Sequence, residues 1–395
     1  MSLDEDLNNL AKPGDQPDGI TKPPTKQLAG WEAGIRYEAN GITINTGPLE
    51  EKPHNWDELL KVWNLDPASH EVIEPVQYRA WDAPIAGGTH RLYYYRASVR
   101  QRRVQGNNLE DLLERIDKFK TADPASATVD EAFVIAWSDS QIGKPDGDGT
   151  SGTIQRILSK TASVVDRLKD LKRKKIIPPV IYLIVGGDCI EGTQTQGGRL
   201  VGRLDATLTE QVRIFRRLLL KQIQMILPYS ERIIVLVVPG NHDEALRVGG
   251  QMASRTDDSW AIEGASAVAD ALDLAGIDSV SFVFPKRDEL TVTVDVQGTI
   301  VGVSHGHQAK SPDGMIKWWQ GQSFGNYPIG NADLLFTGHF HHLRIQQATK
   351  GKTWIQLPAT DGGSEWFSSR TGMEAPASIL SLFVGGGGWN RLELH

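Results

Sequence analysis

Five apolar, β-branched runs in this chain each lead into an aspartate, an asparagine or a histidine, and that recurrence constrains the fold more than any bulk property. The runs are Glu131–Ser138, Val180–Asp188, Arg232–Pro239, Leu290–Ser304 and Asp333–Thr337. Short runs of this kind bounded by turn residues read as strands. Ser281–Pro285, Thr353–Leu357 and Ser378–Val384 read the same way, and Trp389–Leu394 follows a turn at Gly385–Gly388. Amphipathic spacing predicts helices over Thr153–Lys174, Leu204–Ile226 and Trp260–Ala275. Strands alternating with such helices predict a layered α/β or α+β sandwich over residues 126–395.

The amino-terminal third has a different texture. Residues 1–30 mix Pro, Gly, Asp and Lys without a hydrophobic period, which predicts a solvated, disordered tail. Residues 31–125 predict a small α+β module: alternation over Ile35–Ile44, a helix over Asn55–Leu65 capped by Asn55, and a strand over Leu92–Val99. No apolar run approaches a membrane span and the first residues form no secretory h-region, so no membrane partner is expected and the cytoplasm is the expected compartment. Cys189 is the only cysteine, which excludes an internal disulfide and a thiolate zinc cluster. Any metal must be held by oxygen and imidazole. A net charge of −7 supplies no general pull toward nucleic acid.

The chemistry sits where the strands end. Six of the ten histidines (His242, His305, His307, His339, His341, His342) fall in three short clusters after predicted strands. Loops at the carboxyl ends of strands are where α/β architectures gather functional groups. The blocks in order are WSDSQIGK around Asp139, GGDCIEG around Asp188, VVPGNHDE around Asn241 and His242, VSHGHQ around His305, and FTGHFHH around His339 and His341. One GD or GNHD alone would read as an ordinary turn or helix start. Five in succession resemble the five-block signature of the calcineurin-like metallophosphoesterase superfamily.

That resemblance implies an α/β (α+β) sandwich of two mixed β-sheets flanked by helices, holding two divalent metal ions. By resemblance Asp188 bridges the cations, while Asp139, Gln141 and His341 complete the first position and Asn241, His305 and His339 the second. Carboxylate, amide and imidazole donors without thiolate favour manganese, with iron or zinc as alternatives. A metal-bridging hydroxide is the implied nucleophile, and His242 the implied acid or charge stabiliser at the phosphoryl group. Because one residue separates them, His339 and His341 are expected to face the same way on an extended strand. Gly240 and Gly338 are expected to let the backbone turn beside the ligands.

The family usually has histidine where Gln141 stands. A neutral amide oxygen binds more weakly than imidazole, so the first cation should be held less tightly. Gln141 either ligates directly or hydrogen-bonds a metal-bound water. Direct ligation predicts that Gln141→His tightens manganese binding, which a metal titration checks. Glu191 is expected to support the first cation by a hydrogen bond. Asp243 is expected either to orient His242 or to cap a helix, and His307 and His342 either to meet substrate or to face solvent. Arg199 and Arg203, in the loop after GGDCIEG, are candidate substrate contacts.

Within the superfamily the blocks look most like the SbcD-related DNA repair exonucleases encoded by phages, which implies a manganese-dependent DNA nuclease, exonuclease or endonuclease, in a host cytoplasm. It also implies a homodimer and a separate ATPase partner. The run YYYRASVRQRR, from Tyr93 to Arg103, interleaves aromatic and basic residues as a nucleic-acid contact would; a strand ending in a solvated basic stretch is the plainer alternative. A small-molecule phosphomonoesterase or cyclic-nucleotide phosphodiesterase suits the acidic charge, and a metal-free scaffold is the third class of reading.

Overall fold

The computed structural model describes residues 33–38, 41–53, 55–63, 65–68, 70–85, 88–101, 109–117, 126–198, 201–248, 251–363 and 375–395. The expected tail over 1–30, Arg199, Arg102 and Arg103 lie outside these. The chain divides into two compact units, Met1–Val104 and Gln105–His395.

In the first unit, β1 (Gly34–Glu38), β2 (Gly41–Asn45), β3 (His70–Ile85) and β4 (Gly88–Gln101) form one antiparallel sheet in the order β1-β2-β4-β3. Helix α1 (Trp56–Val62) starts where Asn55 accepts the Glu58 N–H at 2.9 Å, as expected of that cap. It buries Leu59 and Leu60 against Ile44, Tyr95, Ala97 and Val99. The pattern reading finds β4 but not β3, which carries Pro75 and Pro84. Proline is tolerated on an edge strand, and β3 is one, with its register slipping between Ile73 and Gln77 around Pro75. Arg102 and Arg103 of the Tyr93–Arg103 run lie outside the described residues, and its described part sits on β4. Alternate residues face opposite ways: Tyr95 is in the core beside the Tyr78 ring at 5.2 Å, while Arg96 is exposed and Arg91 pairs with Asp82.

The second unit begins ahead of the boundary expected at residue 126, because α2 (Leu109–Asp117) packs Leu109 and Leu113 against its core. Its first sheet runs β10-β7-β6-β5-β16-β17 and its second β11-β12-β13-β15-β14. The first contains β5 (Ala132–Trp137), β6 (Val180–Val185), β7 (Arg232–Val237) and β10 (Val280–Val283), all parallel, then β16 (Leu380–Gly385) and β17 (Gly388–Leu394), antiparallel. The second contains β11 (Thr291–Val296), β12 (Thr299–Ser304), β13 (Leu334–Thr337), β14 (Arg344–Thr349) and β15 (Lys352–Gln356), with β12, β13 and β15 parallel. A two-residue pair, β8 (Arg247–Val248) and β9 (Gln251–Met252), stands apart.

Period-two alternation makes the layers. From β5, Phe133, Ile135 and Trp137 face a core shared with α3 (Gly149–Arg173), α4 (Leu208–Ile226) and α5 (Trp260–Leu274). Ala132, Val134 and Ala136 face a second core between the sheets, with Val301, Val303, Leu334 and Phe336. Helix α6 (Met315–Phe324) covers the far side of the second sheet through Met315 and Trp319, packed on Leu335 and Trp354. The unit is thus an α/β sandwich of two mixed sheets flanked by helices, as the sequence leads one to expect. The expected single run Leu290–Ser304 is a hairpin, because Gln297 and Gly298 both take positive φ, the condition for a tight two-residue turn.

Candidate metal centre

The five blocks sit at the carboxyl ends of β5, β6 and β7 in one sheet and β12 and β13 in the other, so the sandwich brings them to one edge. Each chain leaves its strand abruptly. Asp139, Gln141, Asp188, His339 and His341 all have positive φ, between 41° and 71°. For residues with a Cβ this costs roughly 1–3 kcal/mol apiece and persists where surrounding structure enforces it. Here backbone bonds between blocks do so: the Asp139 N–H donates to Gly187 O at 3.0 Å, that of Gln141 to Asp188 O at 2.9 Å, and that of Gly338 to His305 O at 2.8 Å. The expected extended path through His339 and His341 is therefore corrected. Strand β13 stops at Thr337, and two left-handed residues, not pleat alternation, aim both rings inward.

The two glycines act through space, since neither has positive φ. A Cβ on Gly240 would lie 2.0 Å from Asp188 Oδ1, and one on Gly338 would lie 2.5 Å from Asp139 Oδ2. We expect Gly240→Ala to lower stability by about 1–3 kcal/mol and to weaken metal binding, whereas Gly321→Ala, in α6 with nothing within 4 Å of the new methyl, leaves both unchanged or raises stability. Thermal melting and a metal titration of the two variants check this.

The side chains close on a small volume. His305 Nε2 lies 3.0 Å from Asp188 Oδ2 and 3.9 Å from Asp139 Oδ1, and His341 Nε2 lies 3.2 Å from Asp139 Oδ1. Asp188 Oδ1 accepts the His242 N–H at 2.7 Å, and Asp139 Oδ2 accepts the His339 N–H at 2.9 Å and the Ser138 hydroxyl at 2.5 Å. His305 Nδ1 donates to Gly186 O at 2.8 Å, which leaves Nε2 facing the carboxylates. Asp188, His305 and His339 each offer a ligand atom within 4.8 Å of the others. Asp139 Oδ1, His305 Nε2 and Asn241 Oδ1 are buried without a hydrogen bond of good geometry. Asp139 Oδ1 and His305 Nε2 have ionic neighbours in His341 and Asp188, whereas buried polar atoms seldom go unpaired and Asn241 Oδ1, with no hydrogen bond among the described residues, is left for an electropositive partner. The donors present fit a divalent cation.

Charge follows the same logic. Burial works against ionising Asp139 and Asp188, yet nearby histidines hold both carboxyls below the usual range, His341 and His305 at Asp139 and His305 and His242 at Asp188. Burial likewise opposes protonated His305 and His242, but Asp188 prevails, with Asp139 at the first and Glu191 at the second, raising them to about 10 and about 9. Burial and the charge on His305 push His307 down to about 3 and His339 down to about 4. In the metal-free protein, raised histidines bind protons more tightly folded than unfolded, so their stabilisation is complete below about pH 6.5 and lost as pH climbs through 9 to 10. The expected result is a melting temperature in chelator that falls between pH 7 and pH 10. Manganese should reverse that fall, because the ion replaces the His305 proton and binds more tightly as pH rises.

Several residues take places other than those expected. Glu191 Oε2 holds His242 Nδ1 at 3.1 Å and Oε1 accepts the Thr195 hydroxyl, so both carboxylate oxygens are engaged. Asp243 neither touches His242 nor caps a helix; its carboxylate accepts the Ile190 and Gly240 N–H groups, and burial with the Asp188 charge raises it to about 7. The His307 ring packs 5.5 Å from His305 and 6.2 Å from His339 and is half-buried. His342 Nδ1 donates to Phe340 O, and Arg203 is exposed on the turn Val201–Arg203. Gln141 reaches His242 with Nε2 at 3.4 Å, while its Oε1 accepts Lys144 Nζ at 2.8 Å. Lys144 and its partner Asp361 were missed by sequence reasoning, although Asp361, like the other blocks, comes shortly after a β run.

No protein-family model matches the chain, and no curated protein matches it. Solved structures similar to it include a conserved uncharacterized protein of Streptococcus pneumoniae TIGR4 described as a predicted phosphoesterase, with 11% identity and a TM-score of 0.27 over 65% of this chain and 85% of that one. Vps29 of Chaetomium thermophilum shows 11% identity and a TM-score of 0.31 over 67% and 95% of the two chains. The 5'-nucleotidase of Candida albicans SC5314 shows 10% identity and a TM-score of 0.28, over 68% of this chain but 49% of its own length. Likenesses this loose assign no function.

Proposed function

We propose that this chain is a calcineurin-like metallophosphoesterase with two divalent cations, and that it hydrolyses phosphodiesters of DNA. The observation that carries the reading is the convergence of Asp139, Asp188, Asn241, His305, His339 and His341 from five strand ends, with the buried Asn241 Oδ1 left without a hydrogen bond. Asp188, Asn241, His305 and His339 would hold one cation, and Asp139, Gln141 and His341 the other, sharing Asp188. Two such ions would acidify a water and draw charge from the phosphoryl oxygens. Cys189 is fully buried with its thiol raised by burial, so the donor set is oxygen and imidazole, which suits manganese.

The chain's own contribution beyond ligation centres on His242. Its side chain is 22% exposed and Glu191 fixes Nδ1, so Nε2 is presented 3.8 Å from Asp188 Oδ2. An imidazole held this way donates a hydrogen bond to a phosphoryl oxygen or a proton to the leaving oxygen. DNA as substrate rests on the likeness of the blocks to SbcD-related nucleases. The test is hydrolysis with manganese of linear duplex DNA, single-stranded DNA, and nitrophenyl mono- and diesters. Cleavage of DNA and the diester supports the reading; cleavage of the monoester alone replaces DNA with a small phosphomonoester.

A further inference from the structure

Lys144 stands inside the proposed centre without being one of its ligands. Its ammonium donates to Gln141 Oε1 at 2.8 Å and to Asp361 Oδ2 at 2.5 Å, and the two ionic side chains are only 13% and 3% exposed. Asp361 is itself fixed: its N–H donates to Asp139 O at 3.2 Å, and its Oδ1 accepts the Gly363 N–H at 3.1 Å. A turn bond from the Lys144 N–H to Gln141 O at 3.0 Å sets the approach of the lysine stem. This is a built arrangement, tied to the backbone on both sides.

Only the oxygen of a glutamine amide accepts a proton from an ammonium, so the bond assigns Oε1 of Gln141 to Lys144. Any cation that Gln141 helped to hold would share that oxygen with a positive charge. Water screens such a repulsion poorly when the charge is buried. Among the described residues, no lysine or arginine hydrogen-bonds a ligand atom of the second position; Arg247, the cation near Asp188, is engaged by Glu244. Asp361 offsets part of the ammonium's charge and leaves the remainder to act on Asp139, Gln141 and His341.

We infer that Lys144, clamped between Gln141 and Asp361, makes the two cation positions unequal, so that the centre keeps one resident ion on Asp188, Asn241, His305 and His339 and exchanges the other. This rests on the metal-centre reading above and adds a residue that sets its stoichiometry.

The test is calorimetric titration of manganese into the metal-free full chain, with electron paramagnetic resonance counting bound ions. Wild type is expected to take one equivalent tightly and a second at least about tenfold more weakly. Lys144→Met should tighten the weak phase by about tenfold and leave the tight one in place. Asp361→Asn, which leaves the ammonium uncompensated, should weaken the same phase further. Opposite shifts separate this effect from damage to the fold, which would weaken both variants alike. Two equal tight phases in wild type, or variants that shift together or not at all, overturn the role of Lys144. Absence of any tight phase, or one indifferent to His305→Ala, overturns the metal-centre reading itself.

Discussion

Asp188→Asn is expected to leave a folded protein whose phosphoesterase activity has fallen by roughly 10³-fold or more, because stabilisation worth several kcal/mol disappears with the shared carboxylate. The asparagine keeps the shape of Asp188 and can still accept the His242 N–H through its oxygen. It loses the charge that both cation positions use and that holds the His305 proton in the metal-free state. Turnover with manganese, a metal count and melting in chelator separate these effects. The account requires activity and bound metal to fall together while the variant still unfolds cooperatively.

The second large effect falls on a residue proposed to contact substrate and not metal. His242→Ala should lower turnover by about 10²- to 10⁴-fold, the range for a positioned acid, and leave the metal count unchanged. Glu191→Gln should lose less, since an amide oxygen can still accept the Nδ1 proton of His242, but it should move the alkaline limb of activity. With the Glu191 charge gone, one cause raising the His242 pKa is removed, so the protonated form is lost at lower pH and the alkaline arm of the rate profile shifts downward. Rates across pH 5–10 for wild type and Glu191→Gln show whether that arm moves. A profile unchanged by Glu191→Gln would detach Glu191 from the chemistry.

How much of this was legible without coordinates depends on what each feature is made from. The strand-end blocks were readable because β-branched runs and punctuating glycines are local, and because α/β sandwiches put loops at one edge. Strands β3 and β14 were not, since an edge strand needs no hydrophobic alternation: β3 carries two prolines, and β14 is Arg-Ile-Gln-Gln-Ala-Thr with alternate residues exposed. Helix α6 was hidden because it buries little more than Met315 and Trp319. The left-handed backbone at His339 and His341 leaves no mark in residue type, so alternation gave the right convergence for the wrong geometric reason. Pairings across the chain were the least readable. The assignment of Glu191 to His242, in place of Asp243, and the bond from Lys144 to Asp361, 217 positions away, depend on how separate loops are laid beside one another.

The most direct measurement is anomalous scattering at the manganese edge from crystals of the chain grown or soaked with manganese. The account predicts a strong peak in contact with Asp188, Asn241, His305 and His339, and a second, weaker one beside Asp139 and His341. Well-ordered density for these residues with no anomalous peak among them would contradict it.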